Sequence, residues 1–533
     1  MDDLPIQPLP PEWVTSDALP VKGIDLLGLR VPVERIGLTL LAAVTTISPT
    51  IRYISLRAWI ARQYALAKLP DDWSSFELYA AKIEAAVAVG NLLNNSKTSG
   101  LVGLDDAVAK IALASSTVRL EALVQQLATR TYTGPSNALQ ISWSRDPAIP
   151  GLTEERGLPL ANAVHELVSH TLFVRQFTKD STTSDFPKDV LREFGAAFPV
   201  QHPVAQERKV LLDALFPPGQ IEEIGALSTY RLLLELAKLR GRKVTPDDVF
   251  AATVSPPAEL SVAYKSCFDG WLWYLTRDVL AVTHEAVMKA VVEELRISDR
   301  PRKADELLTS LVRRDAELEQ QLQSFLLLPP SSSPLDQPLS ELVDLVRNAT
   351  LSRTGDPARW PGPLQETSII QAALSAGVGA LALLPVAWLL VRERVNSSTT
   401  IPETYRVLLS YQGRGRIGLV EIINPVLTSM LAGNLTIRQA CFDLANRTVN
   451  QHLHVAWSRL QQDPRKDVSA LQVDGSSWAA DRPFAAGRVA SRLREGIGWL
   501  AQLGLVDDNG CTQDGIALLD SFQPIPASTA SSV

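Results

Sequence analysis

Ile369 to Val391 reads IIQAALSAGVGALALLPVAWLLV, and the fold class turns on this stretch. An uncharged run of this length, closed by Arg392, Glu393 and Arg394, suffices to cross a bilayer. It equally suits a helix at the centre of a helical protein, where every face meets other chain. Gln371, Ser375 and the many alanines and glycines favour the second reading, since small residues let helices pack closely. The expectation is a buried apolar helix over 369–391, with a single membrane span as its competitor. Pro385 should kink it, because proline removes a helical hydrogen bond and crowds the preceding turn.

Outward from this run, helical periodicity dominates, and alternating β-branched stretches bounded by turn residues are scarce. The fold class is therefore mostly α, multi-helical, with at least two domains, as 533 residues exceed what one core holds. Residues 12–30 read as a lead-in, and Gly37–Tyr64 as helix broken and restarted at Ser48-Pro49. Asp71–Leu93 reads as a helix capped by Ser74 or Ser75, followed by helices over 104–130 and 159–177. Thr245-Pro246-Asp247-Asp248 combines a cap, a first-turn proline and first-turn acids, which marks a helix start. Asp305–Leu328 reads as one charged amphipathic helix. Arg52, Arg57 and Arg62 step by five residues and so spread around their helix; they read as surface charges, with an anion or partner contact as the alternative.

Pro329–Pro338, PPSSSPLDQP, has the composition of solvated extended chain and marks a boundary. The expected division is a multi-helical part over 1–328, a linker over 329–338, a helical segment over 339–434 and a C-terminal module over 435–533.

Hydrophobic residues make up 46% and charged residues 20% of the chain, a globular composition. A net charge of −7 gives no general attraction to nucleic acid or anionic membrane. Cys267, Cys441 and Cys511 are far apart and odd in number, which fits neither a disulfide framework nor a zinc cluster. Met1–Pro11 has no apolar segment of the secretory kind, so a cytoplasmic location is expected.

Chemistry finds little foothold. His165 and His170 bracket Glu166, but a spacing of five sends the rings to diverging faces where a zinc helix needs four. His452 and His454 lie two apart, which separates them on a helix. Gln412–Gly418, QGRGRIG, lacks the spacing of a phosphate loop. The pairs Asp71-Asp72, Asp105-Asp106 and Asp247-Asp248 sit at helix starts and Asp507-Asp508 in a turn, where acids have structural roles. No catalytic residue, metal or cofactor is expected, and an enzyme is the less favoured class, although a pocket gathering His165, Glu166, His170 or Asp269 would revive it. Trp271, Trp273 and Tyr274, beside Phe268, carry apolar area that belongs in a core or, failing that, at a partner contact.

Near the C-terminus, Arg488–Leu500 reads as a helix. Beyond it come Leu503-Gly504-Leu505-Val506, the turn Asp508-Asn509-Gly510, and Thr512 with Gly515. This order resembles the end of a winged-helix domain over 435–522, which implies a hairpin wing and, from Arg488, Arg492 and Arg494, a DNA-facing helix. The acidic wing tip, Asp507 and Asp508, equally fits docking to protein. At the other end, Gly23–Leu29, Val44–Pro49 and Arg52–Trp59 resemble large helical proteins of bacterial anti-phage defence clusters. That likeness implies a system component, so the expected function is a non-enzymatic helical scaffold or adaptor whose partners are other proteins, with nucleic-acid binding through the C-terminal module as the alternative.

Overall fold

The computed structural model describes residues 25–144, 148–220, 222, 224–298, 300–326, 328–329, 331–351, 366–397, 419–463 and 468–522. The segment 412–418 and the lead-in before residue 25 lie outside them. The described chain is mostly α, with short antiparallel strand pairs and one three-stranded sheet. It forms two compact units, and neither is one continuous stretch. One comprises residues up to Gly37, Phe250–Ser261 and Phe268–Ala490; the other comprises Leu38–Val249, Val262–Cys267 and the residues from Ser491 onward. The linear division expected from the sequence is therefore corrected: Pro329–Pro338 falls inside the first unit, and 435–533 divides at 490/491.

The first unit is built around the stretch quoted above, though not as one helix. Gly377 adopts φ +55°, a left-handed conformation that ends helix Glu366–Ser375, and a tight turn leads into helix Ala380–Ser397. Pro385 sits inside the second helix. Leu381, Leu383, Leu384, Trp388 and Leu390 are at most 1% exposed, because helices Asp315–Leu326, Leu339–Leu351, Leu419–Ala432 and Ile437–Gln462 pack around them. Among the described residues no helix is long and apolar enough to cross a membrane. Asp305–Leu328 likewise divides, into Ala304–Val312 and Asp315–Leu326, at Arg313-Arg314.

Helix Lys265–Ile297 carries this unit's polar anchors. Tyr274, Asp278 and Glu285 follow at steps of four and seven, which places them on one face. Tyr274 Oη donates to Val489 O at 2.6 Å, Asp278 accepts from Val489 N at 3.2 Å and Arg488 Nε at 3.0 Å, and Glu285 accepts from Gly487 N at 3.0 Å. Glu285 also holds Arg30 through Nε and Nη2, at 2.5 and 2.6 Å. One turn away, buried His284 Nε2 accepts from Trp388 Nε1 at 2.9 Å. That bond leaves the proton on Nδ1, which donates to Thr448 Oγ1 at 2.7 Å, and Thr448 donates onward to Leu444 O.

The second unit centres on helix Arg52–Leu66, buried over nearly its whole length. Helix Trp73–Asn94 is capped by Asp72, whose carboxylate accepts from Ser75 N, rather than by Ser74 or Ser75. It crosses helix Lys188–Ala197 backbone to backbone: a Cβ on Gly90 would stand 2.3 Å from Leu191 O, and one on Gly195 would stand 2.1 Å from Gly90 C. The expected helix over 104–130 ends at Leu113, since Thr117-Val118-Arg119 pairs as a strand with Asp185–Pro187, a role β-branched residues suit. The expected helix over 159–177 is two, Gly157–Val168 and Leu172–Lys179, with Thr171 capping the second. Pro246–Val254 begins where the Thr-Pro-Asp-Asp signal placed it.

Two predictions follow from this packing. Gly195→Ala should lower stability by about 1–3 kcal/mol or more, as overpacking does, whereas Gly134→Ala, with open space around it, should cost nothing measurable; urea unfolding of both variants reads the difference. Burial depresses the His284 pKa from 6.5 to about 3. Between those values the unfolded chain takes up a proton that the folded chain refuses, so this contribution to stability is complete above pH 6.5 and is lost as pH falls. The gap in unfolding free energy between wild type and His284→Gln should then shrink by about 1.4 kcal/mol per pH unit below 6.5, and a gap that does not change with pH would contradict the assignment.

Candidate functional site: a tryptophan presented above a buried arginine

Arg57 lies on the central helix of the second unit and is 2% exposed. Its surroundings correct the expectation of a surface charge. Nε donates to Thr129 O at 2.8 Å, Nη1 to Ser142 Oγ at 2.6 Å, and Nη2 to Ser144 Oγ at 3.0 Å and Thr133 Oγ1 at 3.3 Å. Burial pushes its pKa down to about 10, so it remains a cation at neutral pH, held by neutral oxygens.

The strand above it carries the consequence. Ser142-Trp143-Ser144 alternates, so the two hydroxyls turn inward to the guanidinium and Trp143 turns outward. Trp143 is 70% exposed. The strand Ser142–Trp143 pairs with Gly151–Leu152, and the indole lies against Gly151, where a Cβ would meet ring carbons at 2.4 Å. Ser142 Oγ donates to Asn137 Oδ1 at 2.9 Å, and Asn137 Nδ2 donates to Ser144 O at 2.7 Å, which fixes the strand from its side. The result is an exposed indole on a rigid mount, the arrangement that a binding hot spot needs.

The residues singled out from sequence are dispersed. Trp271, Trp273 and Tyr274 are 0%, 3% and 0% exposed, around Phe250, so the aromatic cluster is core and not surface. Arg488 does not lie on a helix; it runs in the extended segment bound to helix Lys265–Ile297, pairs with Asp278 and stands 5.0 Å from the Phe250 ring. Arg492 takes a left-handed conformation (φ +62°) just before helix Leu493–Gln502, and only Arg494, exposed, is on that helix. The three arginines thus make no common helix face.

The wing-like hairpin, Val506–Asp507 with Gly510–Cys511, packs on helix Ala226–Arg240, where Gly510 approaches Ala237 O too closely for any Cβ, and Asp508 O accepts from Lys243 N at 3.4 Å. Trp499 Nε1 donates to Ser48 O at 2.8 Å, and Gln502 accepts from Ile51 N and donates to Pro49 O. The last described helices therefore complete the second unit from within.

Asp248 accepts from Arg242 and from Thr245 N, a helix-start role. His165 Nδ1 accepts from Gln63 Nε2 at 3.1 Å, while His170 is exposed beyond the end of that helix. His452 is tied to Leu26 O and Ala470 N. Burial pushes the Cys267 and Cys441 thiols up to about 12, far from thiolate character at neutral pH. Among the described residues no group of three or more His, Cys, Asp or Glu is placed to hold a metal ion. No protein-family model, curated protein or solved structure matches the chain.

The Trp143 mount was missed from sequence, and its only local signal is the Ser-Trp-Ser alternation. Replacing Arg57 with leucine should remove charge-assisted bonds to the strand and lower stability by about 1.5–3 kcal/mol, read by denaturant unfolding.

Proposed function

We propose that the chain is a non-enzymatic helical scaffold or adaptor subunit that docks partner proteins, with Trp143 at the docking surface. The observation that carries this reading is the 70% exposure of an indole whose strand is pinned from below by a buried cation. Leaving so large an apolar group in water is unfavourable, and holding it rigid removes much of the entropy cost of binding. Ionisable groups inside both units support a structural protein, since Arg52, Arg30, Arg394 and Asp278 are spent on internal pairs. The N-terminal likeness to helical components of anti-phage defence clusters supports placing the subunit in a cytoplasmic bacterial multi-protein system of that kind. The nucleic-acid alternative draws less support, because Arg488 is neutralised by Asp278 and the acidic hairpin is docked on its own unit.

The test is an affinity pull-down from the source cell, with and without nuclease, comparing wild type with Trp143→Ala. The expected outcome is a nuclease-indifferent set of partner proteins that Trp143→Ala weakens by tenfold or more, as loss of a hot spot does, while its circular dichroism is unchanged. Recovery that depends on nucleic acid, or a partner set indifferent to Trp143, would overturn the proposal.

A further inference from the structure

Helix Leu104–Leu113, in the second unit, turns most of its apolar side chains toward water. Its start is fixed by Gly103, left-handed at φ +72°, where a Cβ would stand 2.5 Å from Leu123 Cβ. Of its residues only Ala107 is buried. Leu104 and Ile111, three and four positions away, are half-buried beside it, where the helix packs on helix Trp73–Asn94 and strand Thr117–Arg119.

The opposite face consists of Asp105, Val108, Ala109, Ala112 and Leu113, all exposed. Val108 is 51% and Leu113 89% exposed, the latter more than Trp143. Scattered apolar residues on a surface are ordinary, but these adjoin one another on a single helix face. The two alanines between them carry so little side chain that a second helix axis can approach to about 8 Å.

The charges at the two ends of this face are opposite and unspent. Asp105 and Asp106, in the first turn, have no side-chain partner among the described residues. At the last turn Lys188 donates from Nζ to Ile111 O at 3.1 Å and to Ala114 O at 2.8 Å, and no carboxylate pairs with it among the described residues. Lys110, the helix's own cation, is by contrast taken by Glu121.

From this pattern we infer that the face pairs with the same face of a second copy of the chain, the two helices running antiparallel about a twofold axis between Val108 and Ala109. At 1.5 Å rise per residue, Asp105 lies about 5 Å to one side of that axis and Ala112 about 5 Å to the other. Asp105 of one copy therefore stands opposite Ala112 of the other, between the two carbonyls that hold Lys188. Val108 meets the small Ala109, so large packs on small. The ion pair forms twice by symmetry, and the opposed helix dipoles add to it. Parallel pairing would set acid against acid. A second copy is the occupant because both halves of the complementarity, apolar and ionic, lie on one face of one chain. One helix pair buries well under the roughly 800 Å² per partner of a standard interface, so the dimer is reversible, with a dissociation constant on the order of 10–100 µM. The inference is independent of the docking role of Trp143.

The experiment is sedimentation velocity of the full chain over about 1–200 µM, a span that brackets this dissociation constant. Wild type should shift from monomer to dimer across it, and less so as salt is raised from about 0.05 to 0.5 M, because exposed ion pairs are screened. Leu113→Glu should weaken association by tenfold or more and Asp105→Lys by about fivefold, since the second places two like-charged contacts at the interface. Both positions are exposed, so circular dichroism should be unchanged. An equimolar mixture of Asp105→Lys and Lys188→Glu should regain association that neither variant has alone, because the mixed pair restores both attractions. A chain that stays monomeric throughout, or a dimer that Leu113→Glu and Asp105→Lys leave intact, would overturn the inference; a mixture that regains nothing would overturn the antiparallel register. If the pure chain is monomeric and Leu113→Glu instead removes another protein from the pull-down, the face belongs to that protein and not to a second copy.

Discussion

Arg52 and Glu207 meet with neither side chain exposed, through Nε and Nη2 at 3.0 and 2.8 Å. Two buried charges are costly to desolvate, so the pair holds only while every remaining hydrogen bond is satisfied. The surroundings supply those bonds. Arg52 Nη1 donates to Pro199 O and its guanidinium lies 4.0 Å from the Phe198 ring, while Glu207 accepts from Val204 N at the start of helix Ala205–Leu215. Asn91 grips the same segment from the opposite side, donating to Phe198 O and accepting from Val200 N. The Gly90 and Gly195 crossing lies beside this junction in sequence, so the second unit is fixed where its charge is most deeply buried.

Arginine used from the inside is the device common to both units. Arg30 ties the first described helix to Glu285, Arg52 and Arg57 organise the second unit, and Arg394 closes on Glu366, which is 0% exposed. Each guanidinium offers donors in a plane, and a buried site must spend nearly all of them. Arg57 does so with hydroxyls and one carbonyl, which leaves its positive charge in place and stiffens the strand that bears Trp143.

What the sequence made legible was whatever depends on local pattern. The Thr245-Pro246 helix start and the break at Ser48-Pro49 are written in neighbouring residues, and so is the burial of the run around Trp388. Helix interruptions that rest on a single glycine conformation, as at Gly377, or on a strand partner far away, as for Val118 and Phe186, have no local trace. The arginines of helix Arg52–Leu66 show the limit most clearly. Their spacing described a spread around the helix, but the helix is buried on nearly all sides, so for Arg52 and Arg57 spread meant interior rather than surface, and only Arg62 stays half-exposed. Trp143 gained its meaning from Gly151 and from Arg57, neither of which adjoins it in the chain.

The return of residues 491–522 to the second unit sets an order of events during synthesis. A ribosome must translate the whole of the intervening first unit before it makes Trp499 and Gln502, about 450 residues after the groups they bind, Ser48 O, Pro49 O and the Ile51 N–H. Closing so long a loop costs only a few kcal/mol more than a short one, but it delays completion of the second unit until residues 491–522 have been made. A nascent chain interrupted before residue 491 thus carries an unfinished edge around Ser48 to Ile51, so copies with and without residues 491–522 differ at groups made about 450 residues earlier.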